Sequence, residues 1–300
     1  MMDRRSLRIT FVLALVAAAA ALASAQAATV SFVDGKAEAG APGSSWRPLA
    51  EGDALESSAS IRLASGSYLE LKAGSATLRL SQSGTYALHD LLSAGRASRT
   101  GTAQAALSTY LSALSAKGVS NASAVAGVRG AEQGKDEGAD WVTNETDVYL
   151  SAAKDYLASG DYAAAEDELT KAEADNSGAK DEIDFYFAEA AALDGDYHTA
   201  HQKLAGLSPT GSESWAPDYE LLKARLLVEE FAPQAAVDLL SGDQARLSSE
   251  SSRAPLYYFI LALAYRDLGN TDKSKSCIGR LKAIAPEGEL AKAAASLETH

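Results

Sequence analysis

From Ala28 to Leu88 apolar and polar residues alternate with a period of two. Thr29-Val30-Ser31-Phe32-Val33 runs into Asp34-Gly35, a strong turn pair. Ile61-Arg62-Leu63-Ala64 ends at Ser65-Gly66, and Tyr68-Leu69-Glu70-Leu71-Lys72 ends at Ala73-Gly74. Ala76-Thr77-Leu78-Arg79-Leu80 and Thr85-Tyr86-Ala87-Leu88 follow. Leu69, Leu71, Leu78 and Leu80 fall on one face, with Glu70, Lys72 and Arg79 on the other. That is the pattern of a sheet with one buried and one wet face. Short strands and frequent turns predict a small antiparallel sandwich or barrel. After Leu88 the spacing changes. Leu107, Tyr110, Leu111 and Leu114, within Ala103 to Lys117, recur at helical intervals, which predicts a helical insertion over about 90–118.

Beyond Asp147 a longer period appears. Gly160-Asp161-Tyr162 returns as Gly195-Asp196-Tyr197, an interval of 35, and Gly269-Asn270-Thr271 lies 74 residues further on. Two units fit that second gap if a turn falls near Phe231-Ala232-Pro233. Each unit carries a small residue on its first helix (Ala153, Ala188, Ala224, Ala262) and another twelve positions later (Ala165, Ala200, Ala236, Ser274). Small side chains at facing positions let two helices approach closely. Tyr156, Leu169, Leu204, Leu227, Leu240, Tyr265 and Ile278 are expected to fill the gaps between them. The glycine allows the tight reversal.

Two resemblances follow from these residues. Trp46-Arg47-Pro48-Leu49 with Gly52, the strands after Ile61, and Ala124-Val125-Ala126-Gly127-Val128-Arg129-Gly130-Ala131-Glu132 resemble the FecR-type domain of bacterial envelope proteins over 28–143. Ala131 stands where that signature has Thr. The repeats resemble a tetratricopeptide array of four units over 147–286, with 287–300 as a capping helix. The expected fold is therefore α+β: a small N-terminal antiparallel β sandwich or barrel, FecR-like, followed by an all-α superhelix. The FecR resemblance implies signal relay across the envelope. About eight residues precede the first apolar run, so direct control of a sigma factor is not expected.

Residues 1–27 read as an export signal. Asp3, Arg4, Arg5 and Arg8 precede an apolar run from Ile9 to Ala23, then Ala23-Ser24-Ala25 and Ala25-Gln26-Ala27 offer small-residue cleavage sites. The run is shorter than the ~20 residues a bilayer span needs, so cleavage and a periplasmic or otherwise exported location are expected, with no stable membrane span afterwards. A retained anchor is the alternative. The net charge of -13 disfavours nucleic-acid binding, since phosphate contacts require Lys and Arg in excess. One cysteine, Cys277, excludes an internal disulfide and a thiolate metal cage. The chain shows no phosphate-binding glycine loop of the nucleotide-binding kinds, and no cofactor is expected.

No residue is singled out as catalytic. His198 and His201 share a helical face but lack the further ligands that structural zinc takes. Ser151-Ala-Ala-Lys154 matches a penicillin-binding enzyme pattern without its companion elements. In Gly127, Val128, Arg129 and Gly130 the guanidinium either ties the last strands together or takes a ligand carboxylate. An array of this kind presents an extended surface for a protein or peptide partner. First-helix residues Tyr149, Lys154, Phe185, Glu189, Glu220 and Lys223 are the candidates to line it. The expected function is thus a non-enzymatic envelope protein, a sensing or binding domain joined to a scaffold. The alternative is a carbohydrate- or peptidoglycan-associated hydrolase, or its subunit, with Trp46 or Trp141 lining a sugar groove. That alternative requires two carboxylates facing each other at ~5–9.5 Å. A cell-wall component is the second candidate ligand.

Overall fold

The computed structural model describes residues 26–40, 45–98, 106–107, 109–110, 144–175, 178–242 and 252–297. The sequence-predicted signal apart from Gln26 and Ala27, the Gly127-Val128-Arg129-Gly130 motif and Trp141 lie outside these residues. The chain divides into two compact units, Met1–Arg99 with Glu229–Ala232, and Thr100–Val228 with Pro233–His300. An antiparallel two-sheet β region is followed by a helical region, an α+β organisation.

In the first unit β1 (Gln26–Asp34), β4 (Ala54–Glu56), β6 (Tyr68–Ala73) and β7 (Ala76–Leu80) form one sheet in the order β4-β1-β6-β7. β2 (Ala37–Gly40), β3 (Arg47–Pro48), β5 (Ser60–Leu63) and β8 (Gly84–Ala87) form the other, β3-β2-β5-β8. Helix α1 (Leu88–Ser98) closes the unit. The β6–β7 hairpin shows how the alternation sets register. Leu69 pairs with Leu80 and Leu71 with Leu78, all fully buried, while Glu70 pairs with Arg79 on the outer face. Slipping this register by one residue would expose the whole leucine set. Val30, Ala37, Ala39, Leu49, Leu55, Ile61, Leu63 and Leu88 complete the core, each buried leucine or isoleucine stabilising by about 1.5–3 kcal/mol.

Asp34-Gly35 is a turn, but it does not close a hairpin. β1 and β2 belong to different sheets, so the chain turns a corner there. Gly35 has φ +77, and a Cβ on it would lie 2.5 Å from the Ser67 hydroxyl, which accepts from the Lys36 amide. Both the backbone angle and the close approach require glycine.

The second unit contains α2 (Glu145–Ser159), α3 (Tyr162–Ala174), α4 (Lys180–Asp194), α5 (Tyr197–Ala205), α6 (Ala216–Glu229), α7 (Pro233–Gly242), α8 (Ala254–Asp267), α9 (Thr271–Ile284) and α10 (Glu289–Leu297). Helices α2 and α3, α4 and α5, and α8 and α9 pack as hairpins joined by very short turns. The recurring Gly-Asp or Gly-Asn explains those turns. Gly160, Gly195 and Gly269 take left-handed φ values of 80°, 94° and 72°. The next residue then caps the second helix: Asp161, Asp196 and Asn270 accept from the amides of Ala164, Thr199 and Lys273. Between α6 and α7 the turn has no glycine. Phe231 takes φ 59°, and Pro233 opens α7, where its missing N–H costs nothing.

The small residues twelve apart are buried in every case, with Ala153, Ala165, Ala188, Ala200, Ala224, Ala236 and Ala262 at 0% exposure. At the fourth pair the Ser274 hydroxyl donates to the Ala262 carbonyl at 2.8 Å, so a polar residue sits there without an unsatisfied group. Leu169, Leu204, Leu240 and Ile278 fill the gaps, but Tyr156 is 38% exposed and does not. Helix α10 packs on α8 and α9 through Leu290, Ala294 and neighbouring apolar residues. Among the described residues no helix is long and apolar enough to cross a membrane.

Candidate functional site

The first helices of successive hairpins are linked by charged and aromatic side chains. On α2, Lys154 donates to Glu182 of α4 at 3.0 Å and lies 4.5 Å from the Tyr186 ring centre. Phe185, next along α4, stacks on Trp215 at 5.4 Å with planes 19° apart. Trp215 meets Tyr219 of α6 edge-on at 6.3 Å. Lys223, one turn further, donates to the Tyr219 hydroxyl at 3.1 Å. Arg253, before α8, grips Asp218 of α6 with two hydrogen bonds of 2.6 Å each and reaches the Ser214 carbonyl at 3.4 Å. A planar guanidinium held bidentately fixes orientation as well as distance, so it sets α8 against the start of α6.

Of the six residues expected to line a binding surface, three are part of this row. Lys154 and Lys223 are half-buried within it, and Phe185 is buried at 1% exposure inside it. Glu189 is buried at 3%, while Tyr149 and Glu220 are half-buried. Phe185 and Glu189 therefore sit between packed helices rather than on an open wall. Sequence reasoning passed over Tyr186, Trp215, Asp218, Tyr219 and Arg253. The spacing Trp215, Tyr219, Lys223, four residues apart at a helix start, was the signal that marks one face. Arg225, 1% exposed, and Glu229, 8% exposed, are further buried charges on α6.

The electrostatics follow from burial. The Tyr186 phenol is pushed well above its ordinary range, first by burial and then by the carboxylates of Glu189, Glu182 and Asp218. It stays neutral, available as a donor or an apolar ring rather than as a base. The Arg253 guanidinium is held even more firmly protonated by its bonds to Asp218.

Other expected sites fare as follows. His198 and His201 are half-buried on α5, and among the described residues no group of three or more His, Cys, Asp or Glu is disposed to hold a metal ion. In the sandwich Glu38 lies between Lys36 and Arg62, Asp53 binds Arg47 at 2.7 Å, and Glu70 binds Arg79 at 3.0 Å. The Asp53 carboxyl is held below its usual value by the Ala50 amide and by Arg47. A glycosidase acid needs the opposite shift. Trp46 has its ring covered by the Arg62 guanidinium, 4.0 Å from the ring centre. That face is occupied by a cation rather than open to a sugar.

Comparison with models of known protein families, with curated proteins and with solved structures finds no match.

Proposed function

We propose that this chain is an exported, non-enzymatic binding protein of the bacterial envelope. A FecR-like β sandwich is joined to a tetratricopeptide-like superhelix that holds a protein or peptide partner. The observation that carries the reading is the repetition of one device, the left-handed glycine followed by a capping Asp or Asn, with small residues twelve positions apart on paired helices. Stacked hairpins of this kind build extended surfaces, and extended surfaces suit polypeptides better than small substrates. In the row from Lys154 through Tyr186, Trp215 and Tyr219 to Lys223 the rings are buried between the helices, and the half-buried Lys154, Lys223 and Tyr149 are the side chains left for a polypeptide to meet. The sandwich is the sensing or wall-contacting part in this reading.

The test is retention of an envelope polypeptide by the purified full chain, compared with a Tyr149→Ala/Lys223→Ala chain whose helical spectrum is unchanged. The expected result is a crosslinked band present with the native chain and reduced at least tenfold with the variant, the loss of two contacts of about 1 kcal/mol or more. A band undiminished by the double substitution would refute the placement of the partner on the helices. Recovery of the chain from the cytoplasmic fraction would refute the export.

A further inference from the structure

Helix α2 packs on its neighbours through Thr146, Leu150, Ala153 and Leu157, so its opposite side faces outward. That side carries an apolar row. Val148 is 50% exposed and Tyr156 is 38% exposed, two of the three large apolar side chains that are exposed among the described residues. The half-buried Ala152 lies between them, and the spacing of four sets all three along one strip of the helix. Glu145 and Asp155 are exposed on the two sides of the strip, and neither forms an ion pair with a described residue.

The charge of the helical unit is unevenly divided. Residues 145–175, the first hairpin, hold nine Asp or Glu against two Lys. Helix α9 holds Lys273, Lys275, Arg280 and Lys282 against Asp272 alone, in a chain whose net charge is -13. On α9 the buried side is Ser274, Cys277, Ile278 and Leu281, and the opposite, exposed side is Ser276, Gly279 and Ala283. Lys275 and Arg280 are exposed on the two flanks of that side, and neither forms an ion pair with a described residue. A Cβ on Gly279 would meet nothing within 4 Å. The surface between the two cations is therefore low and open, and a row of larger side chains can lie along it.

We infer that the α2 face of one copy of this chain docks on the α9 face of a second copy. Val148 and Tyr156 lie over Ser276, Gly279 and Ala283, and the carboxylates of Glu145 and Asp155 meet the cations of Lys275 and Arg280. The occupant is a second copy because one polypeptide carries both faces, and they are opposite in charge and in relief. Pairing α2 with α2, or α9 with α9, would set like charges against each other, which disfavours a symmetric dimer. The contact is therefore head-to-tail. A pair keeps one α2 face and one α9 face unused, so it adds copies until a ring closes or a filament grows. This surface is separate from the row between Lys154 and Lys223, and it stands whether or not that row holds a polypeptide.

The test is sedimentation of the purified full chain over a concentration series at low salt. Two helix faces make a contact at the small end of specific interfaces, so a dissociation constant of roughly 10–100 μM is expected. Raising the ionic strength from about 0.01 M to about 1 M shortens the screening length from about 30 Å to about 3 Å and should weaken association at least about tenfold. Tyr156→Asp in one variant and Lys275→Glu/Arg280→Glu in another should each weaken it about 100-fold and leave a monomer. Each variant keeps one face intact, so mixing the two in equal amounts should restore a pair that grows no further. These side chains are exposed, and an unchanged helical spectrum verifies the fold. Val148→Asp, in the same row, should behave as Tyr156→Asp does. A native chain that stays monomeric throughout the series would overturn the proposal. So would variants that assemble as the native chain does, or a mixture of the two that stays monomeric.

Discussion

Cys277 gives a quantitative handle on the fourth hairpin. It lies on α9 and is 9% exposed. Burial pushes its thiol up to about 11 from 9.0, with Lys273 pulling weakly the other way. The folded value lies above the unfolded one, so the buried neutral thiol stabilises the fold fully below pH 9. That contribution is lost as pH rises from 9 through 11. Between pH 8 and pH 10 the loss is about 1.3 kcal/mol. Tyr257 on α8, pushed up to about 12 from 10.0 mainly by burial, acts in the same direction at higher pH. Cys277→Ser keeps the size of the side chain and removes its titration. Urea unfolding of both chains at pH 8 and pH 10 isolates the thiol, because every other group cancels in the double difference. The native chain should lose about 1.3 kcal/mol more than the variant over that interval. In parallel, Ellman's reagent at pH 8 should label the folded thiol at least about 100-fold more slowly than the unfolded one, since the thiolate fraction falls from ~10% to ~0.1%. Equal losses in the two chains, or labelling of the folded thiol within tenfold of the unfolded rate, would refute the buried placement of Cys277 and the packing of α8 on α9.

Two further outcomes can be measured directly. Gly195→Ala should destabilise the unit by about 1–2 kcal/mol, because φ is 94° and the open space around the position offers no other penalty. Gly279→Ala, inside α9 with φ in the ordinary range and nothing within 4 Å of the added Cβ, should stabilise it by up to about 1 kcal/mol; thermal melts of the two variants should therefore move in opposite directions. On the proposed export, N-terminal sequencing of the secreted chain should begin at Gln26, because Gln26 pairs with Glu56 and cleavage after Ala27 would remove that pair; a chain beginning at Ala28 would refute it.

The parts of the fold legible in the sequence are those governed by local rules. Leu69, Leu71, Leu78 and Leu80 announce their buried face by alternation alone, and the register of β6 on β7 follows from the turn at Gly74. The Gly-Asp pairs announce both the left-handed residue and the helix cap, since each demands a particular side chain at a particular backbone angle. Even the third turn is placed without its glycine, because the 74 residues between Gly195 and Gly269 hold two units and so require a turn near Phe231-Ala232-Pro233, where the structure has it. The candidate site was legible only in part. Lys154 and Lys223 fall in the linking row, but Tyr156, expected in the interior, is exposed. A helix has several faces, and a period near 3.6 does not say which neighbour each face will meet.

What the sequence alone determined was the pair of periods, two and then about 35, and with them the division into a β part and a helical part. Tertiary structure decided which distant residues meet. It sent β2 into the opposite sheet from β1 at Gly35, set Arg253 on Asp218, stacked Phe185 on Trp215, and laid Tyr110 against Ser252. The physical reason is one of range. Periodicity and caps record interactions among residues a few positions apart. Ion pairs, ring stacking and hydrogen bonds between residues far apart in the chain, 142 positions for Tyr110 and Ser252, exist only once the chain has packed, and they leave no repeat to reveal them.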